Sequence, residues 1–382
     1  MLKWPRTPEL VPTSALTASA VNDARWNATV SAGQLRRADD RGGGGGARIA
    51  QQDRDPVQWP CDARWLPTDV LAHQHPFDRD QRILFDEPSH TYYVLRPNAI
   101  QPSSQGGEAA PALVARHPER YQTCPLSVTG LIASVFEPFL WPKQVSAAQI
   151  IRTMARNEAG CVAGTTMHAA LECLLNSGVY SQDARIRPEM RLARERLVPW
   201  LAQHDLVPYR TEPTVYLHLD RHVLCGSVDL VARHRATGEF WILDWKRSKK
   251  DFTPDEGAQY KQYGRFPPFD GLVANSLNKY SIQLHLYRLM LQPYGIDVPL
   301  ANMRIVRLHV DKGFDCIRVE SRYEAHARWL IEHYDACLER AAENRANVAA
   351  AFAACGVTAD MCRRAGVSSS DVAPGPAALS DS

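Results

Sequence analysis

Asp229, Asp244 and Lys246 are the residues whose types and spacing could do chemistry together. They lie in residues 225–250, CGSVDLVARHRATGEFWILDWKRSKK. There, one apolar run (Val228, Leu230, Val231) and a second (Phe240, Ile242, Leu243) flank the turn composition Arg235-Ala236-Thr237-Gly238. The pattern predicts a β-hairpin. With the turn centred between Ala236 and Thr237, Asp229 and Asp244 are equidistant from the centre and so opposed across the strands. Opposed side chains have Cβ atoms roughly 4.5–5.5 Å apart. Two carboxylates that close repel unless a cation lies between them. Lys246, two residues beyond Asp244, shares its face of the strand. Hard oxygen ligands for a divalent ion, with an ammonium group alongside, suit phosphate chemistry.

The preceding segment extends the pattern. Residues 209–219, YRTEPTVYLHL, read as a strand followed by a turn at Asp220-Arg221. Folding about that turn puts Glu212 opposite Asp229 and gives a three-strand meander with Glu212, Asp229, Asp244 and Lys246 on one surface. Pro213 cannot donate to a ladder, which leaves room for a bulge that shifts this register by one, so the Asp229–Asp244 pairing is the firmer half. A lone D-x-K triplet is more often a pair of surface charges in ordinary salt bridges, so the inference rests on the set.

Two further pairs stand at helical spacing. His168 and Glu172 share a face of a helix that Gly164-Thr165-Thr166 is expected to open, near an N-terminus that favours anions. On the functional reading His168 reaches the metal held by the aspartates; alone, the two are more often a surface pair. Gln283 and Tyr287 also share a face. Alone they suggest a solvated amide and a packing ring, but beside a phosphate site Gln283 could orient reacting groups and Tyr287 could support DNA.

The elements that must position these residues follow from the rest of the chain. With 382 residues, 45% apolar and 8% aromatic, it can bury a substantial core. A net charge of +2 gives no global basic field; the densest basic cluster is Lys246-Arg247-Ser248-Lys249-Lys250. Nine cysteines, with no C-x-x-C pair, fit free thiols in a reducing compartment. They argue against a zinc finger and against an iron–sulfur cluster. No signal-peptide core and no apolar run of about 18 residues is present, so a soluble, intracellular protein that is not secreted is expected, with no membrane partner. Residues 1–80, with a glycine tract at 42–46, are expected to be largely disordered, and 103–112 to form a loop. Helices are expected near 127–136, 143–156, 164–176, 189–202, 278–291 and 322–344, with a second hairpin at 302–320. The domain would span 81–345, and 346–382 would be a flexible Ala/Ser/Pro-rich tail. The fold class is α/β: a central mixed sheet with an antiparallel meander core, flanked by helices.

Read in order, the chain carries G-T-x-x-H-x-x-x-E (164–172), E (212), G-x-V-D-L (226–230), D-W-K (244–246) and Q-L-H-L-Y (283–287). Around these stand H-x-Y (90–92), S-V-T (127–129) and Y-R-T-E (209–212). The series resembles the PD-(D/E)xK nuclease superfamily over about residues 82–320, in the RecB-like and lambda-exonuclease-like branch. Its motif context is closest to versions from large DNA viruses and phages. The usual Pro-Asp dipeptide is Val228-Asp229 here. The resemblance implies a restriction-endonuclease-like fold and Mg²⁺- or Mn²⁺-dependent hydrolysis of DNA to 5′-phosphate and 3′-hydroxyl ends, with exonuclease or flap processing in replication, repair or recombination. It implies no iron–sulfur cluster and no nucleotide cofactor. Asp229, Asp244, His168 and the Trp245 carbonyl would be metal ligands. Lys246 would orient or deprotonate water, its pKa depressed by the metal, with Glu212 and Gln283 assisting. Arg247, Lys249, Lys250, Thr165 and Tyr287 are candidate substrate contacts. An inactive DNA-binding descendant of the fold and an RNA-directed hydrolase stand as alternatives.

Overall fold

The computed structural model describes residue 66 and residues 68–87, 89–101, 109–260 and 262–367. The glycine tract, most of the expected N-terminal extension, residues 103–108 and residues 368–382 lie outside the described residues. The described chain runs α1 (Val70–Gln74), β1 (Ile83–Asp86), β2 (Thr91–Leu95), α2 (Ala110–Arg116), β3 (Tyr121–Thr123), α3 (Val128–Ser134) and α4 (Ala147–Ser177). It continues through α5 (Arg187–Leu192), a π-helical link at Ala193–Leu197 and α6 (Val198–Gln203). Strands β4 (Leu206–Thr211), β5 (Thr214–His218), β6 (Val223–Ser227), β7 (Leu230–His234) and β8 (Phe240–Lys246) follow. Helix α7 (Ser276–Leu291), β9 (Met303–His309), β10 (Gly313–Arg318), α8 (Glu324–Glu332), α9 (Tyr334–Ala354) and α10 (Ala359–Arg364) complete it. No described helix is long and apolar enough to cross a membrane.

The α/β class expected from the sequence is the observed one. The main sheet has strand order β10-β9-β8-β7-β4, antiparallel except where β8 meets β9 in parallel. A parallel pair needs a long crossover, usually helical, and α7 supplies it, which lays that helix against the strand carrying Asp244 and Lys246. Side chains alternate along β8. Leu243 and Trp245 enter a core with Met167 and Leu171 of α4, Met190 of α5 and Leu201 of α6. Ile242 enters the opposite core with Ile282, Leu286 and Leu289 of α7. Burying each such aliphatic or aromatic side chain contributes about 1.5–3 kcal/mol. Strands β5 and β6 form a separate ribbon, and the β1–β2–β3 sheet packs Ile83, Tyr92 and Val94 onto it.

The sequence expectations fare unevenly in detail. Residues 209–219 form two strands, because the chain turns a corner at Glu212 and Pro213. Glu212 takes a left-handed backbone conformation, φ 44°, uncommon for a residue with a side chain. The pairing nevertheless passes unshifted through the corner, Thr211 with Leu230 on one side and Thr214 with Ser227 on the other. The register shift falls between Pro208 and Arg210 instead. Pro208 is tolerated there because β4 is an edge strand. The helices expected at 143–156 and 164–176 are one helix, α4, opened by a reciprocal cap between Ser146 and Gln149 and closed by Gly178 at φ 75°. Gly164 therefore interrupts nothing, and His168 lies far from any helix terminus. Residues 110–112, expected to belong to a loop, instead open helix α2, Ala110–Arg116. The expected tail carries helix to Ala354 and again over Ala359–Arg364, with Phe352, Val357 and Cys362 buried against Ile150 of α4.

One glycine of this ribbon, near the corner at Glu212, is required by packing. A Cβ on Gly226 would lie 2.7 Å from Cε1 of Tyr287 and 3.1 Å from Cγ2 of Val128. Gly226→Ala is therefore expected to cost about 1–3 kcal/mol as an overpacked core, read as a lowered denaturant midpoint. A midpoint equal to the parent's would mean that Tyr287 is not held where it stands.

Candidate active site

The β7–β8 ladder pairs Leu230 with Leu243, so Asp229 and Asp244 come next, at the open end of the hairpin. Both are nearly fully buried, 6% and 1% exposed. The Trp245 backbone N–H donates to Asp229 Oδ2 at 2.5 Å. Lys246 Nζ stands 2.8 Å from Asp244 Oδ2 and 4.4 Å from the centre of the Tyr280 ring. No hydrogen-bond donor among the described residues reaches Asp244 Oδ1. Burial raises the Asp244 carboxyl to about 6, Lys246 opposing and Asp229 adding to the shift. Burial likewise raises Asp229, with His168 opposing and Glu212 adding. Burial alone would lower Lys246, but Asp244 and Asp229 outweigh it and hold the ammonium above the ordinary lysine value.

His168 reaches the same point from α4. Its Nδ1 lies 3.1 Å from Glu212 Oε1 and 3.6 Å from Asp229 Oδ1. Donor atoms of His168, Glu212 and Asp229 all fall within 4.8 Å of one another. Burial lowers the imidazole, yet Asp229 and Glu212 outweigh it and raise it to about 9. Glu212 is fixed by its corner: its N–H donates to the Asp229 carbonyl at 3.1 Å, and Ser227 Oγ donates to its Oε2 at 3.2 Å. So Glu212, expected in a supporting place, stands with His168 and Asp229, while Asp244 is held by Lys246. Glu172, one turn along α4, is raised to about 7 by burial, Glu212 and Asp69. It lies outside the three-residue group.

Helix α7 lays Gln283 and Tyr287 against this end of the sheet. Gln283 Nε2 donates to the Tyr287 hydroxyl at 3.0 Å. Tyr287 is buried, 3% exposed, and its hydroxyl supports Gln283. Thr165 is exposed one turn before His168, on the same stripe of α4. The basic cluster divides. Arg247 alternates onto the face opposite Lys246, where its Nε meets Glu189 Oε1 at 2.9 Å. Lys249 is exposed, 2.9 Å from Asp311, and Lys250 is exposed. Ser227 and Glu189 were not singled out from sequence, and Tyr280 only as the start of the motif Y-S-I-Q-L-H-L-Y (280–287). Tyr280 has a signal there, since three residues before Gln283 is the same helical face; a buried acid such as Glu189 has none.

Arg247 is thus a structural residue first. Glu189 is 1% exposed on its side chain, and stripping a buried carboxylate of its partner costs about 3–5 kcal/mol. Arg247→Ala should lower the unfolding midpoint by that measure, whereas Lys249→Ala, an exposed pair, should change stability by about 0.5 kcal/mol or less. Equal effects in denaturant titrations would contradict this division.

The residues fit a divalent cation. Hard carboxylate oxygens and one imidazole are the donor set that Mg²⁺ or Mn²⁺ accepts. The buried Asp244 Oδ1 without a donor is the kind of group that a cation satisfies. No protein-family profile matches this chain. No curated protein matches it. Among solved structures, the chain is similar to a crystal structure from Eubacterium rectale described as "Putative exonuclease", at 12% identity and a TM-score of 0.32, over 65% of this chain and 89% of that one. That likeness is too weak to carry a functional conclusion, and the site stands on its own residues.

Proposed function

We propose that this chain is a metal-dependent nuclease of the PD-(D/E)xK kind that hydrolyses phosphodiester bonds in DNA, acting on ends or flaps. The observation that carries the reading is the pair of adjoining sets at the end of the hairpin: His168, Glu212 and Asp229 within 4.8 Å of one another, and Lys246 on Asp244, whose buried Oδ1 meets no donor among the described residues. His168, Glu212, Asp229 and Asp244 would hold the ion, with the Trp245 carbonyl as the backbone ligand that the motif resemblance implies. A divalent cation supplies acidification of water and withdrawal of charge from the phosphate.

The chain's own groups do the rest. Lys246 places a positive charge, steadied by Asp244 and the Tyr280 ring, where negative charge develops on the phosphate. Gln283, propped by Tyr287, offers an amide to orient the attacking water or the phosphate. The Ser227 hydroxyl keeps Glu212 turned toward His168. An inactive binding module would gain nothing from two opposed, buried carboxylates beside the phosphate path, which favours the catalytic reading. Mixing the protein with labelled DNA and RNA, with Mg²⁺ or Mn²⁺ and with EDTA, tests it. Metal-dependent cleavage of DNA is the expected result. Its absence on linear duplex, single-stranded and flap substrates alike would overturn the reading, and cleavage confined to RNA would reassign the substrate.

A further inference from the structure

The β1–β2 hairpin carries three rings that the catalytic reading leaves unused. Phe85 and Tyr92 are cross-strand partners, stacked with centroids 4.5 Å apart and planes 30° apart. His90 meets Phe85 edge-on at 5.1 Å and sits in the left-handed region at φ 52°, a conformation that costs a non-glycine residue energy. The stack is graded in exposure: Tyr92 is 6% exposed and Phe85 37%, with His90 exposed at the rim.

Its position is set by β6. Tyr92 packs in one cluster with Val223 and Cys225, and Ser227, the next residue on that face of β6, donates to Glu212. Burial, the neighbouring Cys225 and Cys124 and then Glu212 raise the Tyr92 phenol, so the acid and this ring share one neighbourhood. Tyr92 thus joins Phe85 and His90 to the strand that runs from Cys225 to the acidic site. Asp86 alternates to the other side of the hairpin and is occupied by the Ser89 backbone and hydroxyl. What this face of the hairpin carries beyond Tyr92 is rings.

Single exposed aromatics are ordinary on protein surfaces. A stacked pair with a third ring set edge-on against it, exposed at one end and joined through Tyr92 to the neighbourhood of Glu212, offers the kind of surface on which bases of single strands stack. We infer that Phe85, backed by Tyr92 and flanked by His90, receives an unpaired nucleobase of the strand whose phosphate enters the site. The preferred substrate is then a single-stranded tail, flap or frayed end, and the interior of a duplex is a poor one. This rests on the nuclease reading for the identity of the ligand.

The test is binding, measured without turnover. Fluorescence anisotropy with the full chain carrying Lys246→Ala, in Mn²⁺, compares a labelled short oligothymidylate with an abasic oligomer of the same length and charge. Phe85→Ala should weaken oligothymidylate binding about tenfold, in the range of base–aromatic stacking. Phe85→Trp should bind at least as tightly as the parent. The abasic oligomer should bind about tenfold more weakly and ignore the Phe85 substitutions. Loss of less than about twofold on Phe85→Ala, or an equal loss for the abasic oligomer, overturns the platform. So does failure of the parent to bind either oligomer. Failure of the nuclease reading shows separately, as absence of metal-dependent cleavage by the unsubstituted chain.

Discussion

Replacing Lys246 by alanine is expected to lower metal-dependent DNA cleavage by at least about a hundredfold, the usual cost of removing one positioned charge-stabilising donor from an active site. The ammonium is close to both the Asp244 carboxylate and the Tyr280 ring, so its position is fixed from two sides and no water can reproduce it. Lys246→Arg is expected to recover little. A planar guanidinium reaches further and asks for a forked partner, whereas the Asp244 contact is to one oxygen. The loss should fall on kcat more than on KM, because the charge it opposes develops in the reaction. Undiminished cleavage by Lys246→Ala would remove this residue from the mechanism, and with it the strongest link between the sheet and phosphate chemistry.

Adding Mn²⁺ to the unsubstituted protein should raise its melting temperature. At about a hundredfold excess over Kd, a ligand that binds only the folded state stabilises it by about 2.7 kcal/mol, which in a chain of this size is a rise of roughly 5 °C. The physical source is local. Asp229 and Asp244 are both buried, which raises both carboxyls; Glu212 raises Asp229 further and Asp229 raises Asp244, and no donor among the described residues reaches Asp244 Oδ1. An ion between them relieves like-charge repulsion that folding alone leaves in place. Asp229→Asn and Asp244→Asn should each abolish the rise without abolishing folding. A rise that survives in both variants would place the ion elsewhere, and no rise at any Mn²⁺ concentration would contradict the fit of the donor set. This readout is independent of turnover.

The catalytic hairpin is legible because its register is arithmetic. A turn of recognisable composition fixes which residues oppose each other, and alternation fixes their face. Thus Asp229, Asp244 and Lys246 stand at the end of the ladder that their spacing implies, and the pairing through Glu212 keeps the register expected of it. What composition hides is geometry that single residues decide. Nothing in Y-R-T-E-P announces that Glu212 adopts a left-handed conformation and swings the strand into a second sheet. Gly164 looks like a helix start, yet a glycine in a long helix costs only about 1 kcal/mol, and the cap that matters, Ser146 with Gln149, lies eighteen residues earlier. Charge is the least legible property. Arg247 and Lys249 have the same sign and adjacent places, but one is held by a buried acid and the other by an exposed acid. Which lysine or arginine is left for a phosphate depends on partners distant in sequence.

Helix α4 has a property that matters for His168. Its first turns are anchored by Ile150 in the cluster formed with Phe352, Val357 and Cys362, and its last turns by Met167, Leu171 and Leu174 against the sheet. Residues 156–162 between those anchorages are all exposed, so two turns are held by little beyond their own backbone ladder. The helix is a strut clamped at both ends and unsupported at mid-span. Amide exchange should be fastest in that span, and any load on the far clamp that flexes it is delivered two turns later to the imidazole.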